Sequence, residues 1–457
     1  MKKEVTGKHV LAILSCALMS FVGILTETSL NVTFPTLMKQ FHVGLGTIQW
    51  TTTGYLLMIA VIMIPSSYLN ARFSARQLFI FAVAAFSCGS LICAQAQSFW
   101  ILLLGRLLSS FGAGLATPLM FNLVAELIPQ QRWGFYMGLT GLVVVLAPTL
   151  GPTFGGAIIY FWNWRLIFYI VVALALIVLI LGLFSVEKYH EVTHPQFDWG
   201  RYLVIAAAMV IFSLTINRIS KLDWLFWLGL IVTAALMAWF SKLSKRSKKI
   251  LFDIAIFQVK PFVFAFLAYL ALQFVNLGTS FILPNYVQIV NHSTSLVGGL
   301  ILLPGSILAA VLNPAFGNWY DRKGAAQPLY TGTITMTLGC LLLALFSLHM
   351  TTAMIIVFFA FMMVGRQMAF NNTLAEGLKT QKPALHSDAT AVFQTGQQFA
   401  ASLGTTITAA IVSAVQNGGG SYRQATAAGT RLAFVFLTAI GLLAICSYTL
   451  MFKTEKK

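Results

Sequence analysis

The sequence predicts an all-α integral membrane protein with fourteen transmembrane helices, arranged as two six-helix halves plus an inserted two-helix hairpin. Three observations predict this class: the composition, a long series of apolar segments and a weak internal repeat. Of 457 residues, 58% are hydrophobic and only 9% are charged. A water-soluble domain is usually about a quarter charged, so this composition excludes an ordinary soluble domain.

Each of the apolar segments is long enough to cross the hydrocarbon core of a bilayer, which takes about 20 residues in a helix. Most of the connections between them are brief, which favours a compact helical bundle. The segments are 9–34, 46–69, 77–96, 99–122, 134–160, 164–186, 200–218, 224–241, 259–282, 294–318, 328–348, 352–374, 393–415 and 432–452.

Lysine and arginine outnumber the acidic residues by 29 to 12, and their positions orient the chain. If the N-terminus is cytoplasmic, 21 of them fall in cytoplasmic segments, six fall outside, and Arg106 and Arg366 lie within spans. This bias follows the positive-inside rule and predicts a plasma-membrane protein with both termini in the cytoplasm. The excess charge therefore indicates topology and no nucleic-acid partner. The basic cluster at 242–249 suits anionic lipid headgroups or is a solvated connector.

A weak repeat divides the chain. The string "SYLNARFSAR" (67–76) follows the second span, and "GNWYDRKGA" (317–325) follows the tenth, at equivalent places if spans one to six and nine to fourteen are the two halves. We therefore predict an N-terminal bundle at 1–190, an inserted hairpin with its linkers at 191–250 and a C-terminal bundle at 251–457. Parallel six-helix repeats are a transporter architecture, with the substrate near the midplane between the halves.

One carboxylate, Glu27, lies well inside a span. At about 1.5 Å per residue, Glu27, Tyr55 and Arg106 each lie seven residues, roughly 10 Å, from the outer ends of spans one, two and four. Burial disfavours the charged carboxylate, whereas a nearby cation favours it, and this balance suits proton coupling. We predict that Glu27 and Arg106 form a proton-coupling site; the alternative is a structural ion pair between two spans.

Several strings together resemble those of the fourteen-helix drug:proton antiporters of the major facilitator superfamily. "LTETSLNVTFP" (25–35) is similar to the first-helix motif, which normally has Asp where this chain has Glu27, "RLLSSFGAG" (106–114) to the fourth-helix motif and "APTLGPTFGG" (147–156) to the fifth-helix motif associated with antiporters. Other strings in matching positions are "IQWTTTGYLL" (48–57), "NWRLIFYI" (163–170), "FDWGR" (197–201) and "LPNYVQ" (283–288). The resemblance implies the major facilitator fold and drug:proton antiport by alternating access.

The fifth span carries candidate gating residues: Gly151, Pro152, Gly155 and Gly156. Small residues four apart let helix backbones approach closely, and a proline permits bending. These residues are expected to form a flexing helix between the halves, and close packing alone is the alternative. The resemblance favours the gating role.

The loop of the second half adds Asp321 and Arg322 as gating candidates, since an acid–arginine pair locks neighbouring helix ends. The loop of the first half departs from the family pattern. It has Ser67, Ala71 and Ser74 where the family usually has Gly, Asp and Gly, which weakens the expectation of a similar lock there.

Polar residues on apolar spans are candidates for the substrate cavity, with methionine and aromatic side chains as an adaptable wall. Arg366 is a further buried cation that either binds an anionic group, pairs with an acid or reaches towards the membrane surface. The candidates for the substrate cavity are Asn31, Gln49, Tyr55, Gln273 and Asn276.

These features predict a monomeric proton-coupled multidrug exporter of lipophilic cationic or zwitterionic compounds, with small molecules, protons and membrane lipids as its partners. The chain has no phosphate-binding GxxxxGK[ST] string, which argues against ATP-driven transport, and we expect no enzymatic activity, cofactor or metal. The alternatives are an exporter of a native metabolite or lipid, and a non-transporting membrane sensor or scaffold.

Overall fold

The computed structural model describes residues 5–129, 132–187, 189, 196–219, 222–244, 251–252, 254–382, 385–418 and 421–455. Within these ranges the chain forms seventeen α-helices and a 3-10 turn at Ile254–Gln258. The helices are α1 Gly7–Phe41, α2 Leu45–Ile48, α3 Trp50–Met63, α4 Ser66–Arg72, α5 Ala75–Ala94, α6 Phe99–Leu127, α7 Trp133–Phe161, α8 Arg165–Ser185, α9 Trp199–Ile216, α10 Trp224–Ser244, α11 Lys260–Ile289, α12 Ser295–Leu300, α13 Leu303–Lys323, α14 Ala326–Phe346, α15 Thr352–Lys379, α16 His386–Gln416 and α17 Tyr422–Glu455.

These helices account for the predicted spans. Thirteen helical stretches among the described residues are long and apolar enough to cross a membrane, and the remaining predicted span, 134–160, corresponds to α7. Two spans are broken: α2 to α4 form one, and α12 with α13 forms another. The break after α3 lies at Pro65, which lacks an N–H to continue the helical hydrogen bonds and has a non-helical ψ of 8°. The chain is a multi-pass helical membrane protein, as predicted.

Both ends of the described chain lie at one face of the bundle, here called the terminal face. At this face Lys8, near the start of α1, pairs with Glu187, just beyond α8. The rings of Tyr330 at the start of α14 and Phe452 at the end of α17 are 5.8 Å apart. The other face, where α1 ends and α17 begins, is called the opposite face.

The helices group into two bundles that are built alike. Helices α1 to α8 pack on one another, as do α11 to α17, while α9 and α10 pair with each other and α9 also touches α3 and α16. This grouping resembles the predicted division of the chain. The predicted boundaries after residues 190 and 250 fall at 190–195 and 245–250, outside the described residues, so these limits stay a prediction.

Candidate functional site

Glu27 is buried on α1, with 5% of its surface exposed, in a stretch rich in hydroxyl side chains. These hydroxyls are satisfied within the helix itself: Thr26 donates to the Val22 carbonyl at 2.6 Å and Thr28 to the Ile24 carbonyl at 3.0 Å. Such bonds let an apolar helix carry polar residues without unpaired donors. The hydroxyls of this segment thus have partners within the helix, and Glu27 carries its ionisable group.

Arg106, on α6, has no exposed surface and joins the helices around Glu27. Its Nε donates to the Thr51 carbonyl of α3 at 3.1 Å, and its guanidinium carbon lies 3.7 Å from the centroid of the Tyr55 ring. The Tyr55 hydroxyl donates to the Gly23 carbonyl of α1 at 3.1 Å, one helical turn before Glu27. The structure therefore brings together the acid, the base and the phenol whose common depth the sequence predicts.

Arg106 is only partly satisfied, because neither of its terminal nitrogens has a hydrogen-bond partner among the described residues. Glu27 and Arg106 interact electrostatically, yet in the described part of the chain they form no ion pair within 4 Å. The alternative of a direct structural ion pair is thus not formed in this conformation. A carboxylate beside an incompletely paired guanidinium can bind a proton or a cationic group without first breaking a tight pair.

Helix α7 is fitted between α1 of its own half and α12 of the other half, and its glycines make this possible. A Cβ atom on Gly155 would lie 2.3 Å from the Ser29 carbonyl oxygen of α1. One on Gly156 would lie 2.4 Å from the Ser295 carbonyl oxygen of α12. Gly151 lies against Thr28 in the same way, so α7 touches the two residues that follow Glu27.

Pro152 completes this contact, because α12 approaches its carbonyl group. A Cβ atom on Gly299 of α12 would lie 2.1 Å from the Pro152 carbonyl oxygen. Thr153 donates a hydrogen bond to the Gly299 carbonyl at 3.4 Å, and Ser295 donates to the Gly156 carbonyl at 3.1 Å. Of the four gating candidates of the fifth span, Pro152 and Gly156 therefore contact α12 of the other half, whereas Gly151 and Gly155 contact α1 of their own half. Their movement stays a prediction.

Other contacts between the bundles also lie towards the opposite face. The Thr53 hydroxyl hydrogen-bonds with those of Thr405 and Thr406 on α16 at 2.9 and 3.0 Å. Gln288 of α11 donates to the Val32 carbonyl of α1 at 2.9 Å. Together with the contact between α7 and α12 these bonds are here called the opposite-face seal, which joins the two bundles on that side.

The sequence-predicted cavity residues divide between the seal and the interior. The Asn31 side-chain oxygen accepts from Thr52 at 3.0 Å, and Gln49 donates to Asn217, just after α9, at 3.1 Å; both amides are engaged near the seal. Tyr55 stacks with Arg106 as described. The other two candidates lie on α11: Gln273 is bonded to Arg366 at 2.7 Å, and the Asn276 side-chain oxygen has no partner among the described residues. Their role in substrate binding stays a prediction.

At the terminal face, Asp321 and Arg322 are exposed at the end of α13 and form no ion pair within the described ranges. A contact that the sequence analysis missed lies beside them. Tyr320 donates to the carboxylate of Glu376 on α15 and accepts from Lys379 at 2.6 Å. This cluster joins α13 to α15 within one half. The only sequence signal for it is the three-residue spacing of Glu376 and Lys379, which is common on helix surfaces.

A bundle of paired six-helix units around a buried ionisable site defines a membrane transporter of the major facilitator type. The chain belongs to the Major Facilitator Superfamily, whose family model matches residues 16–405. The resemblance drawn from the motifs and the predicted fold are thereby confirmed.

Curated relatives match almost the full chain. The lincomycin resistance protein LmrB of Listeria monocytogenes is 30% identical, covering 97% of this chain and 98% of that protein. The protein of the same name in Bacillus subtilis is 29% identical, covering 94% and 93%. A multidrug resistance protein B homolog of Mycobacterium tuberculosis is 28% identical, covering 71% and 61%.

Solved structures support the fold. A bacterial homolog of the human lysosomal transporter Spinster superposes with a TM-score of 0.71 at 14% identity, covering 98% of this chain and 99% of that one. A POT family transporter in complex with a thioalcohol-conjugated peptide gives a TM-score of 0.73 at 16% identity, covering 98% and 96%. At this level of identity the likeness shows the fold alone.

Proposed function

We propose that the chain is a proton-coupled exporter of lipophilic cationic or zwitterionic compounds. In this proposal it lies in a bacterial plasma membrane with its terminal face in the cytoplasm. The observation that carries the proposal is the buried Glu27 carboxylate beside the partly unpaired guanidinium of Arg106. The other acidic residues lie near helix ends or in connections, so Glu27 is the carboxylate placed for proton exchange at depth. An ionisable group inside a membrane protein is costly and is usually functional.

The position of Glu27 suggests how proton binding is coupled to conformation. The next two residues, Thr28 and Ser29, are the ones against which Gly151 and Gly155 of α7 pack. A change in charge at Glu27 therefore occurs one residue away from the helix that contributes to the opposite-face seal. Alternating access needs such a link, since a ligand shifts a two-state equilibrium only through its differential affinity for the two states.

The proposed transport cycle follows from competition between a cationic substrate and a proton for the Glu27 carboxylate. With the opposite-face seal closed, ionised Glu27 attracts a cationic substrate arriving from the terminal face. Once the seal opens, a proton from outside neutralises the carboxylate, and the substrate loses its charge partner and leaves. Return of the protonated protein and release of the proton at the terminal face restore the ionised site. Each step uses the same side chain, so proton and substrate do not occupy it together.

The names of the relatives support drugs as the substrate class. Two of them are lincomycin resistance proteins and one is a multidrug resistance protein homolog. Lincomycin, which carries a basic amine, is therefore a candidate substrate of this chain. A lipophilic fluorescent cation is the more convenient first probe, because its efflux is followed directly.

The test uses purified protein in proteoliposomes with an internal pH dye. Addition of a substrate cation should drive protons across the membrane of proteoliposomes that contain the wild type. Glu27→Gln should abolish this proton flux, because the amide cannot take up a proton. Glu27→Asp should retain coupling. Glu187→Gln, which removes an exposed carboxylate outside the spans, is the matched control and should behave as the wild type. Proton flux that survives Glu27→Gln unchanged would refute the coupling role.

A second measurement separates transport of drugs from the other candidate functions. Cells expressing the chain should accumulate less of the fluorescent cation than control cells, and a protonophore should remove the difference. If no dye or antibiotic is exported, drug transport is refuted. Export that persists in the presence of the protonophore would instead refute proton coupling.

A further inference from the structure

A second buried arginine, Arg366 on α15, forms a polar cluster in the C-terminal bundle. It is 7% exposed. One terminal nitrogen donates to the Gln273 side-chain oxygen of α11 at 2.7 Å, and the other donates to that of Gln367 at 3.0 Å. The guanidinium carbon lies 3.8 Å from the centroid of the Phe370 ring, while Nε has no partner among the described residues.

The two buried arginines occupy matching settings in the two bundles. Each follows a glycine at a close crossing of neighbouring helices. A Cβ atom on Gly105 would lie 2.7 Å from the Gly89 carbonyl oxygen of α5, and one on Gly365 would lie 2.6 Å from the Gly332 carbonyl oxygen of α14. Spans four and twelve, which carry these glycines, correspond under the predicted repeat. Each bundle thus combines a close helix crossing at a glycine with a buried arginine at the next residue.

The two settings differ in which guanidinium nitrogens are bonded and in the presence of an acid. Arg106 interacts with the Glu27 carboxylate, whereas no carboxylate oxygen of a described residue lies within 4 Å of the Arg366 guanidinium. Arg366 is thirteen residues, roughly 20 Å, from the terminal-face end of α15. The nearest acid along this helix, Glu376, is ten residues away and bonded to Tyr320. A buried cation without a counter-charge is costly, and amide oxygens compensate it only in part.

Polar side chains connect the cluster to positions that are only partly buried. The Tyr269 ring stacks on Phe370, with ring centres 4.3 Å apart, and its hydroxyl donates to the Gln397 side-chain oxygen of α16 at 2.6 Å. Gln397 and Asn276 are both half-buried, and polar side chains at this depth are expected to face a cavity or the bundle interior. A ligand group that enters here meets amides, a phenol and a cation.

We propose that Arg366 and Gln273 form an anion subsite that binds the carboxylate of a zwitterionic or acidic lipophilic substrate. The substrate supplies the negative charge that the C-terminal bundle lacks, and the free Nε–H together with the Gln273 amide provides donors for it. A hydrogen bond from the charged guanidinium to a carboxylate is stronger than one between neutral groups, which suits the free Nε–H to this ligand. The ring of Phe370 covers one face of the guanidinium and leaves the edge for the ligand.

This inference deepens the proposed function and rests on it, because it assumes that the bound ligand is a transported substrate. Binding itself is measured without transport. The probes are tetramethylrhodamine, which carries a free carboxylate, and its ethyl ester, which has the same ring system without that negative charge. Binding of each dye to the purified full chain in detergent micelles is followed by fluorescence anisotropy. Arg366→Gln should weaken binding of the free acid roughly tenfold to a hundredfold, the range for hydrogen bonds to charged groups, and leave the ester within about twofold.

Two further variants distinguish loss of the anion subsite from a general loss of folding. Arg366→Lys retains the charge and should restore much of the affinity for the free acid. Gln273→Glu places a carboxylate beside the guanidinium, and this internal acid should compete with the free-acid dye and lower its affinity while the ester still binds. If Arg366→Gln weakens both dyes equally, or neither, or if Gln273→Glu leaves binding of the free acid unchanged, the anion subsite is refuted.

The proposed function can fail separately. If the wild type binds the acid in an Arg366-dependent way but neither dye is moved in proteoliposomes, the subsite stands and the exporter proposal is refuted. If both dyes are exported and their binding is indifferent to Arg366, the exporter proposal stands and the subsite is refuted.

Discussion

Substitution of Gly156 by alanine tests whether the contact of α7 with α12 sets the conformation of the protein. The added Cβ atom would lie 2.4 Å from the Ser295 carbonyl oxygen, 3.2 Å from its carbon and 3.3 Å from the Gly299 nitrogen. The first of these is far inside van der Waals contact, and the obstacle is backbone that cannot rotate away. The seal must open or the helices must separate.

The magnitude follows from the cost of overpacking, which is typically about 1–3 kcal/mol. This penalty applies only while α7 and α12 are in contact, so it acts on the closed seal and not on an open one. A difference of this size changes the ratio of closed to open protein by roughly 5- to 150-fold. The matched control is Gly317→Ala on α13, where the added Cβ would meet nothing within 4 Å.

The assay is a pulsed electron-resonance distance between spin labels at the opposite face, one on each bundle. Lys39 at the end of α1 and His292 after α11 are both exposed and serve as label sites in a chain without its native cysteines. We expect the wild type and Gly317→Ala to share one short distance, and Gly156→Ala to add a longer one. Identical distance distributions for all three proteins would refute the reasoning that this glycine is needed for closure.

Three further predictions concern single side chains. Tyr55→Phe keeps the ring beside Arg106 and loses one hydrogen bond, so it should lower stability by about 1 kcal/mol, and Tyr55→Leu should lower it further; equal thermal unfolding of the two variants would contradict the stacking role. Thr53→Val removes the hydroxyl bonds across the seal and should lengthen the same spin-label distance, whereas an unchanged distance would show that these bonds do not matter. Lys8 lowers the pKa of the exposed Glu187 carboxyl through a hydrogen bond and its charge. The stabilisation from this pair is therefore present above the ordinary pKa of a glutamate and lost as the pH falls through the lowered value. The small difference in unfolding temperature between the wild type and Lys8→Gln should disappear on acidification, and a difference that grows would contradict the pairing.

The sequence was sufficient to predict the depth of the candidate site, because the rise per residue of a helix is constant. Counting from the expected ends of three spans places Glu27, Tyr55 and Arg106 at one level, and the structure joins Arg106 to Tyr55 and leaves Glu27 one turn from the Tyr55 contact. The fifth-span glycines were likewise recognisable as positions of close approach, since small residues four apart have few other uses on an apolar helix.

The partners of these residues across the two bundles could not be predicted. That Gly156 meets Ser295, or that Thr53 meets Thr405, depends on how two bundles dock, and no spacing within one helix encodes it. Asn31 shows the consequence. Its polarity suggested that it lines a substrate cavity. Instead, its side-chain oxygen accepts from Thr52, and its backbone carbonyl accepts from Asn285 of α11 at 3.4 Å. In this conformation Asn31 therefore contributes to the contacts between the two bundles.

The chemistry of the opposite-face seal has a consequence for its energetics. The polar contacts that define it are between hydroxyls, amides and backbone carbonyls, and no ion pair among the described residues crosses it. When the seal opens, water replaces neutral hydrogen bonds, an exchange that costs little per bond, and no charge is separated. The position of this equilibrium should therefore be nearly independent of ionic strength, unlike a closure made by surface charges. The conformational equilibrium of such a protein should then be set by the proton or ligand bound in its interior, and not by the salt concentration outside.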